Sequence, residues 1–318
     1  MGGPDHPEPQ TFLRRAVQGT ATPQDAETLI EADPATAVLR AAGLKPDPDR
    51  RLREFHDAEP LCPRVRLRAA GFEEEASISR AELWRFYLPV CALLRQRMDG
   101  TRGRVLAGVA GPGACGKTVF AHLLRGVFCL AADDTVGAPK VCGLDGFHYP
   151  NAYLESHTHT GPSGDAQSLR AVKGSPPTFD VKQFVAKLGA LRSRSRVHLP
   201  VYDRRLHDPV PDALAVEPGD PLVIVEGNYL LLEEDGWERV RDLLDVVLFL
   251  QQPVEAAREA MIRRHVRGGR TPEDARRYFE RVDRPNYELI MRTRGRADLL
   301  VRRSAMQRIV AIEPPPEV

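Results

Sequence analysis

The chain has 318 residues, with 45 basic side chains against 44 acidic ones and a formal net charge of +1. So close a balance excludes the global field that a nucleic-acid or membrane partner would call for, and neither partner is expected. Five scattered cysteines (Cys62, Cys91, Cys115, Cys129 and Cys142) without a C-x-x-C pair exclude a disulfide framework or a zinc site and suit a reducing, cytoplasmic setting.

Residues 1–75 are rich in Pro, Asp, Ala and Arg and read as a helical, partly flexible extension. Thr22-Pro23 followed by Asp25 starts a short helix over 23–32, and Asp33-Pro34 breaks it before a second over 34–43. The charged stretch from Pro46 to Arg53 reads as a linker. Residues 76–318 are expected to form one α/β domain. Within it, Ser79 and Glu82 make a capping box at the head of a helix running to Met98. Leu83, Phe86, Tyr87, Val90, Leu93 and Leu94 recur there at helical spacing, and Pro89 should offset the helix.

From Arg104 the pattern becomes strand alternating with helix. Apolar runs at Val105–Ala110, Lys140–Leu144, Pro221–Glu226 and Asp245–Leu250 read as buried strands, with further strands at Arg196–Pro200, Ala297–Val301 and Ile309–Ile312. Helices are expected over 119–130, 180–193, 240–244, 253–266 and 272–282. This alternation predicts a doubly wound parallel sheet, with ligands at the carboxyl ends of its strands.

The first strand runs into Gly111-Pro112-Gly113-Ala114-Cys115-Gly116-Lys117-Thr118, a G-x-x-x-x-G-K-T phosphate-binding loop. Its glycines let the backbone approach phosphate oxygens, and its amides form an anion nest at the positive end of the next helix. Lys117 should reach the β- and γ-phosphates, and the Thr118 hydroxyl should join Mg²⁺. Two acids follow apolar strands: Asp145 in LDGFHYPN and Glu226 in VIVEGNYLLL. A carboxylate at such a strand tip can hold Mg²⁺ or accept a proton from an attacking hydroxyl. His148, Tyr149 and Asn151 in the loop after Asp145 suit recognition of a small polar substrate. Tyr202, Asp203 and His207 form a second polar-aromatic cluster. Arg258, Arg263, Arg264, Arg267 and Arg270, with Gly268-Gly269 among them, suggest a hinged arginine lid over phosphates.

Taken together these residues resemble the P-loop kinase superfamily of uridine kinase, phosphoribulokinase and type I pantothenate kinase. The likeness covers roughly residues 78–301. FYLPVCALL at 86–94, LDGFHYPN at 144–151 and RPNYELIMRTRGRADLLV at 284–301 are similar to pantothenate kinase segments. PVYDRRLHD at 200–208 looks like the tyrosine-aspartate element shared with uridine kinases. His148 departs from the leucine expected of pantothenate kinase, and EGNYLLL at 226–232 is closer to a nucleoside/nucleotide or fructose-transport-associated sister group. The resemblance implies that Asp145 deprotonates the acceptor hydroxyl and that Lys117 and the loop amides hold ATP. It gives Mg²⁺ to Thr118 and Glu226 and puts Tyr202, His207 and Asn286 near the acceptor. It has Arg263 and Arg264 act catalytically from the lid, with Arg270 on the nucleotide.

The function expected is therefore transfer of the γ-phosphoryl group of ATP, with Mg²⁺, to a hydroxyl of a pantothenate-, nucleoside- or sugar-like metabolite. Related kinases suggest a homodimer. The alternative is a nucleotide-binding regulator with little turnover. A GTPase-like switch would need an N-K-x-D base-reading motif, which the chain lacks.

Overall fold

The apolar runs between residues 105 and 313 assemble into one six-stranded sheet. In the computed structural model, which describes residues 9–62, 64–69, 72–131, 137–160, 164 and 166–317, it comprises six strands. These are β1 (Val105–Ala110), β2 (Lys140–Gly143), β3 (Leu222–Gly227), β4 (Val246–Gln251), β5 (Leu299–Arg303) and β6 (Ile309–Glu313). Their spatial order is β2-β3-β1-β4-β5-β6, parallel throughout except for the antiparallel edge strand β6. This is the doubly wound α/β architecture. The chain leaves β1, passes over β3 to β2 and later returns to β4 on the other side. The crevice at the carboxyl end of β1 is thus a topological switch point, where such folds bind ligands.

Successive residues of each strand serve opposite faces. Val105, Ala107 and Val109 of β1, with Leu222 and Ile224 of β3, pack on one face against Phe120 and Leu124 of the helix Lys117–Leu130 and Leu94 of the helix Leu88–Asp99. Leu106 and Ala110, with Val223 and Val225, pack on the other against Phe184, Leu188 and Trp237. Each such fully buried large side chain contributes about 1.5–3 kcal/mol.

The helices Pro9–Val17, Pro23–Ala32, Pro34–Ala41 and Pro48–Ala58 join the first of these faces through Phe12, Ile30, Leu39 and Phe55. The last of the four corrects the linker reading of Pro46–Arg53. Asp47 caps it by accepting from the Arg50 amide, and two of its charged side chains, Arg51 and Glu54, are buried. The buried Arg51 donates to the Trp84 carbonyl (Nε, 3.1 Å), with its guanidinium 4.9 Å from the centre of the indole ring, and Glu54 pairs with the buried Arg95 at 2.7 Å. A composition that looked solvated thus contributes four buried residues out of eleven.

Two prolines leave the same signature. A π-helical turn, Leu83–Tyr87, precedes Pro89, and another, Phe279–Asp283, precedes Pro285. A proline has no N–H to donate and crowds the carbonyl four residues back, so the widened turn lets the helix continue. Helical structure therefore runs on to Arg292, beyond the expected end at 282. The strand expected at Arg196–Pro200 is Val197–Asp203. It lies outside the central sheet, in an antiparallel hairpin with Asp208–Val216, whose prolines at 209 and 211 hid its partner from the sequence reading.

Candidate active site

The register of the sheet assembles the site. Ala110, the last residue of β1, lies opposite Gly227, and Gly143, the last of β2, lies opposite Glu226. The phosphate-loop motif, Glu226 and Asp145 therefore emerge side by side. Gly111 (φ +144°) and Gly116 (φ +83°) adopt backbone conformations that side chains disfavour. A Cβ on Gly111 would lie 2.5 Å from the Leu250 carbonyl, and one on Gly113 would lie 2.6 Å from the Met261 methyl. Ala114 also has a positive φ, and Cys115 is fully buried beneath the loop. The loop is braced from behind. Arg303 donates to the Cys115 carbonyl at 2.5 Å, and Gln252 and Gln307 donate to the Ala114 carbonyl at 3.3 and 3.4 Å.

Lys117, buried at the helix start, donates to the Pro112 carbonyl (2.8 Å) and to Asn228 Oδ1 (2.6 Å). The Thr118 hydroxyl donates to Glu226 Oε1 at 2.9 Å. Burial, reinforced by the charge of Asp145, raises the Glu226 carboxyl above its usual range, with Lys117 and Thr118 opposing. These paired hard oxygens suit Mg²⁺, which is typically bound through one or two protein groups plus phosphates and water. Among the described residues no cluster of three His, Cys, Asp or Glu forms a self-sufficient metal cage.

Asp145 stands in the tight turn Leu144–Phe147 after β2. Burial pushes its carboxyl up, but nearby positive charge from His148, Arg264, Lys117 and Arg204 outweighs burial and holds it below the ordinary aspartate value. Burial in turn lowers the pKa of His148, so at neutral pH the standing cations around Asp145 are the two arginines and Lys117. His148 Nδ1–H donates to the Asp145 carbonyl (2.9 Å), and its ring lies 3.9 Å from that of Phe179 and 5.6 Å from that of Tyr202. Its buried Nε2 has no partner, an arrangement costing about 1–3 kcal/mol. Burial pushes the Tyr202 hydroxyl up to about 12.

Comparison with known proteins gives the chain a family. The family model described as phosphoribulokinase / uridine kinase family matches residues 106–310. The chain belongs to that family. It is 32% identical to the uncharacterized protein YggC of Escherichia coli K12 over 240 residues, 75% of this chain and 94% of that protein. It is 29% identical over 286 residues to a pantothenate kinase of Parvibaculum lavamentivorans, covering 75% of this chain and 82% of that one. Among solved structures it is similar to a Silicibacter protein described provisionally as a fructose transport system kinase. That match has 28% identity and a TM-score of 0.57, covering 66% of this chain and 98% of the other. No helix among the described residues is long and apolar enough to cross a membrane.

In this phosphoribulokinase/uridine kinase family member the remaining expected site residues divide. Tyr149 stacks on Tyr153 at 4.3 Å. Asn151 is a tie: its amide donates to Asp208 Oδ1 (2.9 Å), its side chain donates to the His207 carbonyl (2.9 Å), and its Oδ1 accepts from Lys173 (2.7 Å). His207 takes part through that carbonyl. Its imidazole is exposed, on a residue with φ +54°. Asn286 lies half-buried on the helix Arg284–Arg292, without a hydrogen bond to the Asp145 cluster. On the helix Val254–Arg267 the two paired arginines part. Both are exposed, but the charge of Arg264 bears on Asp145, His148 and Tyr202, whereas Arg263 pairs with Glu259 at 3.2 Å. Arg270 lies 4.0 Å from the Tyr278 ring centre, and the Tyr278 hydroxyl donates to the Lys173 carbonyl at 3.0 Å. The same helix rests on the phosphate loop through Met261.

Sequence reasoning missed Asn228, Lys173 and Arg204. Asn228 sits two residues after Glu226, a spacing that alone could have raised it. Lys173 and Arg204 act through contacts made only on folding.

Proposed function

We propose that this protein transfers the γ-phosphoryl group of ATP to a hydroxyl of a small metabolite. The observation that carries the reading is the placement of Asp145. It is an ionised carboxylate at the tip of β2, within the field of Lys117 on the phosphate loop and close to the Tyr202–His148 wall on its other side. In this reading one carboxylate serves both a donor site and an acceptor site.

Asp145 orients the acceptor hydroxyl and takes its proton as the new O–P bond forms, a role its lowered pKa favours at neutral pH. Lys117 leaves Asn228 and the Pro112 carbonyl to hold the phosphates, and the loop amides take up the negative charge. Arg264 adds positive charge beside Asp145, where the transferring group must pass. Thr118 and Glu226 would hold Mg²⁺, which neutralises phosphate charge when bound. The pantothenate kinase relative and the structure described as a fructose transport system kinase support a small hydroxylated acceptor. The test is ADP release over a panel of pantothenate, nucleosides, pentoses and hexoses, with Asp145→Asn protein as blank. Acceptor-dependent ADP release that survives in the blank would remove Asp145 from its role.

A further inference from the structure

The arginine helix Val254–Arg267 meets the rest of the protein along one stripe. Ala257, Met261 and His265 recur four apart, so they face the same way. Ala257 and Met261 are buried, and Met261 lies against Gly113 of the phosphate loop. His265, the polar member of the stripe, sets its Nε2 2.7 Å from Asp283 Oδ2 and its ring edge-on to Tyr278, with centres 4.9 Å apart. A carboxylate can only accept, so Nε2 carries the proton. Only 22% of the His265 side chain and 19% of the Asp283 side chain are exposed, so water competes little for this bond.

Backbone geometry builds the socket for His265. Gly269, with φ +96°, lets the helix close on a left-handed residue, and the Arg270 amide donates to the His265 carbonyl at 3.1 Å. The chain then reverses into the helix Pro272–Tyr278 and the π turn Phe279–Asp283. On an α-helix Tyr278 and Asp283 would diverge by about 140°. Across a π turn, in which the Arg284 amide donates to the Phe279 carbonyl, residues five apart return to one face. The turn imposed by Pro285 thus lets a ring and a carboxylate hold one imidazole. The same turn is gripped a second time by Arg258, which lies 3.6 Å from Glu280 and 5.7 Å from the centre of the Phe279 ring.

These contacts fix how the helix is turned about its axis. Successive residues stand about 100° apart, so Arg264 flanks the held stripe while Arg263 falls about 160° from His265. We infer that His265 and Asp283 are positioning residues for phosphoryl transfer: their bond sets the rotation of the arginine helix so that Arg264, and not Arg263, is directed at the transferring group beside Asp145. An exposed arginine has a long, flexible stem, and its charge serves a transition state only where it is held in place beforehand. The inference rests on the kinase reading above and adds to it the device that aims the arginine.

The experiment is a double-mutant cycle on the full chain. ADP release is followed over pantothenate, nucleosides, pentoses and hexoses, and the compound turned over fastest serves as acceptor for every variant. His265→Ala should lower kcat about 10-fold with the KM for ATP within about twofold, because lost aim weakens the transition state and spares the ground state. His265→Gln, whose side-chain amide replaces Nε2–H, should keep most of the wild-type kcat. Arg264→Ala, at roughly 10²-fold alone, should cost only about 10-fold in the His265→Ala background, where the arginine is already misdirected. Asp283→Asn repeats the cycle from the other side of the bond, and binding of a fluorescent ATP analogue identifies the folded variants. Losses that multiply in the double variants, or an unchanged kcat in analogue-binding His265→Ala and Asp283→Asn proteins, would overturn the inference and leave the kinase reading standing. Analogue binding with no ADP release on any compound would overturn both.

Discussion

The donor and acceptor halves of the site are built on opposite plans. The phosphate loop is closed on itself. Lys117 is satisfied by Asn228 and Pro112, Thr118 by Glu226, and the carbonyls behind the loop by Arg303, Gln252 and Gln307. The acceptor half, from His148 to Lys173 and Tyr202, has a buried nitrogen without a hydrogen bond and an ammonium whose hydrogen bonds go to neutral oxygens. A group that satisfies itself can be set by the fold alone. The phosphate loop is thus a self-satisfied framework, whereas the wall beyond Asp145 is a looser set of polar groups.

The largest expected effect tests the boundary between the halves. Asp145→Asn should lower kcat by about 10³-fold while ATP binding persists, as expected for loss of a general base. Steady-state turnover with calorimetric ATP titration checks it. Next comes the lid. Arg264→Ala should cost roughly 10²-fold in kcat through loss of charge on the transferring group, whereas Arg263→Ala should stay within about twofold because its exposed pair with Glu259 contributes little. Equal losses in the two would mean that the helix turns to present both.

On the donor side, Gly111→Ala drives a methyl group into the Leu250 backbone carbonyl at a φ of +144° and should destabilise the protein by about 1–3 kcal/mol. Gly113→Ala, which meets only the movable end of Met261, should cost less, read as the denaturation midpoint. The smallest effect belongs to the acceptor side. Lys173 titrates near 8 when folded, below its ordinary 10.5, so between those values the unfolded chain holds more protons than the native one. The native state is therefore penalised in full below pH 8 and relieved as pH rises toward 10.5. Lys173→Met should raise the melting temperature most below pH 8, with the gain shrinking above it. A difference that does not change with pH would mean that the ammonium carries no burial penalty.

What was readable in the chain follows the same division. Gly111–Thr118 is contiguous, so its chemistry could be read directly, and Asp145 and Glu226 were visible because each ends an apolar run. Buried strands were visible because continuous Val, Ile and Leu have few other uses. Legibility failed where local composition opposes the fold. Charged residues concealed the helix Pro48–Ala58, and prolines concealed the strand Asp208–Val216. It failed too where a role arises from contacts distant in sequence: Lys173 meets Asn151 and His207 only through tertiary structure. The split between Arg263 and Arg264 depends on a helix rotation that adjacent positions cannot reveal.

The brace behind the phosphate loop has a consequence for how the protein comes into being. Arg303 reaches Cys115 across 188 positions of chain, and Gln307 reaches Ala114 across 193. During synthesis the residues that close the loop leave the ribosome long after the loop itself. β1 itself must wait for β3 and β4, its neighbours in the sheet, and the phosphate loop gains its rear support only when the β5–β6 hairpin has docked. Completion of the loop is then among the last events of folding, and a chain halted short of residue 303 lacks the arginine that braces it.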